Sequence, residues 1–340
     1  MEWNNYLKLF TEIAINKGYN DKDINELLLY AKKIYDKNLP IIFSPKHFAH
    51  LVGYKLSFLY KIANSQIHFY RTFEIPKKNG QLRKISEPLP SLKEIQKWIL
   101  ENILENCEIS PYAKAFIKKR SIRENARFHR NQKILLTLDI KDFFQSIKYN
   151  NIYGIFMNLG YTKNLSVLLT NICTLNGELP QGAPTSPYLS NLFFKRIDSR
   201  IFGFTNKQKI RYTRYADDMT FSGDFEPGMV INFIKKILSN YKLEINDEKI
   251  RTRKKHQRQE VTGIVVNNKL MQSPKSLRKE IRKEMYYIEK YGLDSHLEKI
   301  NCYKANYVKH LLGLINFVHF VNPKDTYADK YKKLLLNYLK

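Results

Sequence analysis

Apolar positions along the chain change period several times, and each change marks a different kind of element. Over residues 2–37 they recur at three- and four-residue steps, as Trp3, Tyr6, Leu7, Phe10 and Ile13 and then Ile24, Leu27, Leu28 and Ala31. That spacing predicts two amphipathic helices. A third stripe after Pro45 carries Phe48, Leu51, Val52, Leu56, Leu59 and Tyr60, so residues 1–66 are expected to form a small helical lobe. Residues 70–75 then alternate as a strand does, and Asn79-Gly80 reads as a two-residue hairpin turn. Lys77, Lys78, Arg83 and Lys84 cluster round that turn.

A long amphipathic helix is expected over Ser91–Asn106 with Ser91 as its N-cap, and a shorter one over Ser121–Arg130. Ile134, Leu135, Leu136 and Leu138 make a nearly continuous apolar run, the pattern of a strand buried on both faces. Asp139 stands at the C-terminal end of that run, where it serves either as a ligand position or as a helix N-cap. Two helices fill 149–175, the first ending near Gly160. The loop LPQGAPTSPYLSN, residues 179–191, leads into another helix; its Gly182 permits close backbone approach to a ligand, and Gln181 offers both donor and acceptor. Arg211–Tyr215 and Met219–Phe221 read as short strands, which puts Ala216-Asp217-Asp218 at a hairpin tip. A helix over Val230–Tyr241, a strand over 260–267 and helices from 275 onward complete the prediction.

Composition narrows the class. Lys and Arg number 58 against 32 acids in 340 residues, a formal charge of +26, while 43% of residues are hydrophobic. The chain is therefore globular, and its charge points to a polyanion, nucleic acid ahead of a membrane surface. Residues 251–290 hold 12 Lys and Arg against 4 acids, a concentration suited to tracking a phosphate backbone. No apolar run approaches the roughly 18 residues of a membrane span. The N-terminus carries acids and does not read as a secretory signal. Cys107, Cys173 and Cys302 are isolated, which suggests reduced structural thiols and a cytoplasmic protein. The His residues form no zinc-type cluster.

Adjacent carboxylates at Asp217 and Asp218 repel and are costly to desolvate, so a fold that keeps both supplies a counter-charge. Two are open: basic side chains, or a pair of divalent metals roughly 3.5–4 Å apart of the kind that serves in-line phosphoryl transfer. The order of motifs decides for the second. A basic hairpin, LDIKDFF around Asp139, LPQGAPTSP, YADD, and Asn246-x-x-Lys249 resemble, in sequence, the palm and fingers of reverse transcriptases over about residues 70–270. Asn125-Ala126-x-x-His129 and Val261-Thr262-Gly263 are similar to two signatures of bacterial retron reverse transcriptases.

The resemblance implies an α+β right-hand polymerase fold, with fingers at 67–135, a palm at 136–270 interleaved with a fingers segment near 149–180, and a helical, RNA-binding thumb at 271–340. It implies that Asp139, Asp217 and Asp218, with the backbone carbonyl of Ile140, hold two Mg²⁺ ions. Lys78, Arg83, Phe144, Gln181 and Lys249 fall at dNTP-contacting positions, Phe144 being the ring that excludes a 2′-hydroxyl and Lys249 a candidate acid for pyrophosphate. Tyr215 and Gly182 fall at primer and template positions. Asn125, His129, Arg253, Lys254, Lys255, Val261, Thr262 and Gly263 are candidates for RNA recognition. The partners implied are dNTPs, a structured noncoding RNA of the msr-msd type, its single-stranded DNA product (msDNA), and a separate effector protein in antiphage defence.

Overall fold

In the computed structural model, residues 2–76, 80–301 and 306–339 are described; Lys77, Lys78, Asn79 and Cys302 lie outside them. In chain order the elements are α1 (Trp3–Asn16), α2 (Asp21–Tyr35), α3 (Pro45–Leu51), α4 (Leu56–Asn64), β1 (Tyr70–Pro76), β2 (Leu82–Pro88), α5 (Pro90–Asn102), α6 (Ile122–Arg127), β3 (Ile134–Asp139), α7 (Tyr149–Leu159), α8 (Lys163–Cys173) and α9 (Ser186–Lys207). There follow β4 (Arg211–Tyr215), β5 (Asp218–Gly223), α10 (Pro227–Ser239), β6 (Arg251–Lys254), β7 (Glu260–Val261), β8 (Ile264–Val265), α11 (Lys275–Tyr291), α12 (Leu293–Lys299), α13 (Tyr307–Val321) and α14 (Thr326–Asn337).

Four departures from the sequence pattern are informative. The stripe after Pro45 is two helices, α3 and α4, separated by a turn over 52–55. Ser91 does not cap α5, because Pro90 occupies its first turn and Leu89 stands at the N-cap without a side-chain bond; proline's fixed φ starts the helix one residue early. Ser121 does cap α6, accepting from the Glu124 backbone N–H at 3.2 Å, and the helix stops at Arg127. The apolar run 260–267 is a hairpin rather than one strand. Its two central residues, Thr262 and Gly263, sit at φ +47° and +80°, the left-handed pair that a two-residue turn demands.

The chain divides into two compact units. One comprises residues 1–116, 140–200 and 236–244, and is mainly helical. Its most enclosed helix is α8, which buries Leu165, Leu168, Leu169, Ile172 and Cys173. Gln96 on α5, fully buried, ties that centre to the β1–β2 hairpin by donating to the Tyr70 hydroxyl and the Ile172 carbonyl, each at 2.8 Å. A buried amide is tolerated there because its donors are matched.

The other unit comprises residues 117–139, 201–235 and 245–340. Its centre is an antiparallel sheet of order β4-β5-β3-β6. Directly opposed residues share a face. Tyr212, Met219, Phe221, Leu136 and Leu138 pave the buried face, and the Tyr212 and Phe221 rings stack at 5.0 Å. The opposite face carries Thr213 and Tyr215 on β4; Asp218, Thr220 and Ser222 on β5; Leu135, Thr137 and Asp139 on β3; and Arg251 and Arg253 on β6. The start of the basic 251–290 stretch, Arg251–Lys254, is an edge strand of this sheet. The β7–β8 hairpin and α6 pack over one end of this face through Ala126, Leu135, Val261, Ile264 and Val266. Helices α11 to α14 close a separate core from Ile281, Met285, Ile288, Leu311 and Ile315, as the helical period predicts.

Candidate active site

The β4–β5 hairpin brings two of the three expected carboxylates to one end of the polar face, and β3 brings the third. Tyr215 pairs with Asp218, so Ala216 and Asp217 alone make the turn. Ala216 takes φ +58°, a conformation that costs an L-residue of order 1 kcal/mol. Arg214, fully buried on the far face, donates a guanidinium N–H to the Ala216 carbonyl at 3.1 Å and holds the turn from beneath. Asp139 lies directly opposite Asp218 in the β3–β5 ladder. The backbone carbonyl of Asp139 accepts from Asn246 at 2.8 Å, which places the following single turn so that Lys249 reaches back. The Lys249 ammonium donates to both oxygens of the Asp139 carboxylate at 2.9 Å.

One of the two counter-charges foreseen in the sequence, a basic side chain, is present at the site. Lys249 neutralises Asp139. Desolvation, then the neighbouring Asp217 and Asp139, push the Asp218 carboxyl up to about 6, and Lys249 opposes the shift. Desolvation is the larger cause and the neighbouring negative charge the smaller, although part of Asp218 still opens to solvent. Three hard carboxylate donors in one repelling cluster fit a divalent, oxygen-seeking cation in chemistry. Among the described residues, no three His, Cys, Asp or Glu side chains stand close enough together to grasp one ion as they are placed. The three carboxylates are present, with both oxygens of Asp139 engaged by Lys249.

Of the nucleotide-contacting candidates, Lys249 lies in this unit, Lys78 is outside the described residues, and Arg83, Phe144 and Gln181 fall in the other unit and are described within it. Arg83 is exposed on β2, opposite Ile75. Phe144 is half-buried in the turn after β3, against Phe143 at 5.2 Å and Phe116 at 6.3 Å between ring centroids. Ile140 is buried. Gln181 receives the Ser86 backbone N–H on its own carbonyl at 2.8 Å. Gly182 packs closely against β2. Its φ is +129°, and a Cβ there would lie 2.7 Å from the Ser86 carbonyl oxygen, so the close approach is to β2.

Of the recognition candidates, Asn125 and His129 have no exposed surface. As placed, neither exposes an edge, and both bond within the protein. The Thr213 hydroxyl donates to the Asn125 side-chain oxygen at 2.6 Å, and His129 bridges Thr213 at 2.8 Å and Ser222 at 2.7 Å. Since the Thr213 proton is spent on Asn125, His129 Nε2 must be the donor to Thr213, and its Nδ1 takes the proton of Ser222 in the neutral ring. The motif thus staples α6 to both strands of the aspartate hairpin. Thr262 bonds the Ile122 carbonyl at 3.4 Å, so the Val261–Gly263 turn rests on the same helix. Lys254 and Lys255 are exposed, and Lys255 donates to Asn131 and, at 2.7 Å, to the Asn267 carbonyl.

A cavity of about 570 Å³ opens on the polar face beside Asp218, between Leu135, Thr137 and Thr220 on the sheet and the segment carrying Arg251, Arg253, Arg258 and Thr262. Thr137, Thr220 and Arg251 were not foreseen as site residues. The signal available was period two: Thr137 stands two before Asp139, and Thr220 two after Asp218.

Comparison with known proteins agrees with this geometry. Residues 75–266 match the reverse transcriptase (RNA-dependent DNA polymerase) family. The chain is 34% identical over 273 residues to the retron Ec86 reverse transcriptase of Escherichia coli, covering 78% of this chain and 82% of that protein. It is 29% identical over 329 residues to the retron Mx65 reverse transcriptase of Myxococcus xanthus, covering 90% and 74%. Among solved structures, a telomerase from Candida albicans in complex with a telomeric RNA fragment aligns with a TM-score of 0.45 and 12% identity, over 82% of this chain and 66% of that one. With a family match over more than half its length and relatives alignable across most of it, the chain belongs to the retron reverse transcriptases, RNA-directed DNA polymerases, and its fold is mixed α+β.

Proposed function

We propose that this polymerase copies part of a structured noncoding RNA of the msr-msd type into single-stranded DNA, starting from the 2′-hydroxyl of a guanosine in that RNA. The resulting RNA–DNA complex would serve antiphage defence through a separate effector protein, in the cytoplasm. The observation that carries the reading is the pairing of Asp139 with Asp218 across β3 and β5, beside Asp217 in the turn. The family of the relatives supplies the rest. No helix among the described residues is long and apolar enough to cross a membrane.

In this reading Asp139, Asp217 and Asp218, with the Ile140 carbonyl, would hold two Mg²⁺ ions. Bound there, such ions lower the cost of charge developing on the attacking and leaving oxygens. The protein's own groups do the positioning. The Arg214-supported turn fixes where Asp217 and Asp218 stand, and Tyr215, paired with Asp218, meets the primer end. Arg83 and Lys78 grip the triphosphate through charge-assisted bonds. Gln181 lies along the incoming sugar, and the Phe144 ring excludes a 2′-hydroxyl. Lys249, exposed enough to turn from Asp139, delivers a proton to pyrophosphate. The fingers, palm and thumb follow the sequence divisions at 67–135, 136–270 and 271–340, and the basic 251–290 stretch with the C-terminal helices grips the RNA.

Extraction and sequencing of the nucleic acid that copurifies with the protein tests the proposal. Covalently joined RNA and single-stranded DNA is the expected result; unbranched DNA, or none, would overturn the retron reading. Changing Asp217 and Asp218 together to Asn should cut DNA synthesis by more than about 1,000-fold. RNA affinity should change little. Persistent synthesis would refute the assignment of the carboxylates.

A further inference from the structure

The cavity on the polar face has a floor to which the roles above give no task. Thr137 and Thr220 are directly opposed in the β3–β5 ladder, two residues behind the opposed Asp139 and Asp218, and both line the cavity. Thr220 is only 3% exposed, and neither hydroxyl bonds to a described residue. Thr137 is partly exposed and both threonines line the cavity, so their hydroxyls offer donor and acceptor capacity to whatever enters it. Arg251 lies opposite Thr137 and Arg253 opposite Leu135. Both guanidinium groups line the same cavity and make no side-chain bond to a described residue, whereas Arg258 is taken up by Glu260. The walls are otherwise Leu135, Val261 and the Thr262-Gly263 turn. A volume of about 570 Å³ admits one nucleotide.

We propose that the cavity seats a ribose of the priming strand, its 2′-hydroxyl bonded by Thr137 and Thr220 and its phosphates by Arg251 and Arg253. A hydroxyl is both donor and acceptor, so two threonine hydroxyls satisfy a 2′-hydroxyl completely, and a deoxyribose leaves them unmatched. The charges set the direction of the strand. Phosphates are drawn to the arginine side and repelled by Asp218 at the other end, which leaves the sugar end toward the carboxylates. The site thereby prefers RNA to DNA in the strand that is extended. This rests on reading the three aspartates as the polymerase centre, since only then is the neighbouring strand the primer.

Two labelled duplexes on one RNA template provide the test. Their priming strands are DNA of identical sequence, except that the last two nucleotides are ribonucleotides in one and deoxyribonucleotides in the other. Equilibrium binding at fixed salt should favour the ribo-ended duplex about fivefold, the worth of a net hydrogen bond or so. In T137V/T220V, which keeps shape and strand propensity, the ratio should fall to near one. Should the double variant fail to melt as a folded protein, T137V alone, at a partly exposed position, should lower the ratio. Parity in the unaltered protein, or a preference that survives T137V/T220V, would overturn the proposal. Addition of dNTPs to either duplex is scored separately. Extension of both with parity in binding removes the ribose contact and keeps the polymerase centre, while a binding preference with no extension does the reverse.

Discussion

His129 has both ring nitrogens engaged and no exposed surface. Replacing it with Ala would leave the Thr213 and Ser222 hydroxyls buried without their ring partner, at about 1–3 kcal/mol each. We expect His129→Ala to destabilise the protein by about 2–4 kcal/mol in chemical denaturation, against roughly 1 kcal/mol for Ser222→Ala. A double-mutant cycle between the two should show coupling of about 0.5 kcal/mol or more; simple additivity would mean the staple is not energetically real. Lys249 poses a different question, because its ammonium would compete with a metal ion for Asp139 in the proposed reading. The lysine side chain is 53% exposed, so the pair is worth no more than a surface ion pair, about 0.2–1 kcal/mol. Lys249→Met should therefore tighten Mn²⁺ binding by about two- to fivefold in calorimetric titration, and unchanged affinity would show that the lysine does not compete.

At the scale of elements, two glycines separate strain from steric closeness. Gly263 sits at φ +80° with open space around its missing side chain, so Gly263→Ala should cost about 1 kcal/mol in stability. Gly182 combines φ +129° with a Cβ position 2.7 Å from the Ser86 carbonyl oxygen, which is backbone and cannot step aside. Gly182→Ala should cost about 2–3 kcal/mol and raise the KM for dNTP, since Gln181 moves with the loop. Equal melting shifts for the two variants would contradict this ranking. The same scale shows where the pattern was readable. Alternation found β1, a nearly continuous apolar run found β3, β-branched and aromatic content found β4 and β5, and period 3.6 found most of the helices. It missed the break between α3 and α4, the start of α5 at Pro90 and the turn inside 260–267, because short turns leave no mark on an apolar stripe. It also took Arg251–Lys254 for part of a charged surface, since an edge strand with arginines on one side looks, in one dimension, like any basic run.

For the whole molecule the dominant quantity is the charge of +26. If six to ten phosphates are neutralised on binding RNA, affinity should fall by about 10³–10⁵ between 50 and 200 mM salt. A filter-binding series across that range measures the slope, and a weak dependence would mean that the basic surface is not the RNA grip. The sequence by itself determined the class of chemistry, because a charge surplus, an aspartate closing a buried strand and an acidic hairpin are local facts that need no partner to be read. The bonds of Asn125 and His129, the close packing of Gly182, the Lys249–Asp139 bond and the threonine-floored cavity were decided only by tertiary structure. In each of these the decisive partner lies far off in sequence, as Ser222 does from His129, Ser86 from Gly182 and Asp139 from Lys249. Burial and hydrogen-bond partners belong to the folded chain, so a one-dimensional pattern that names the residue types cannot say which of them face a ligand and which face each other.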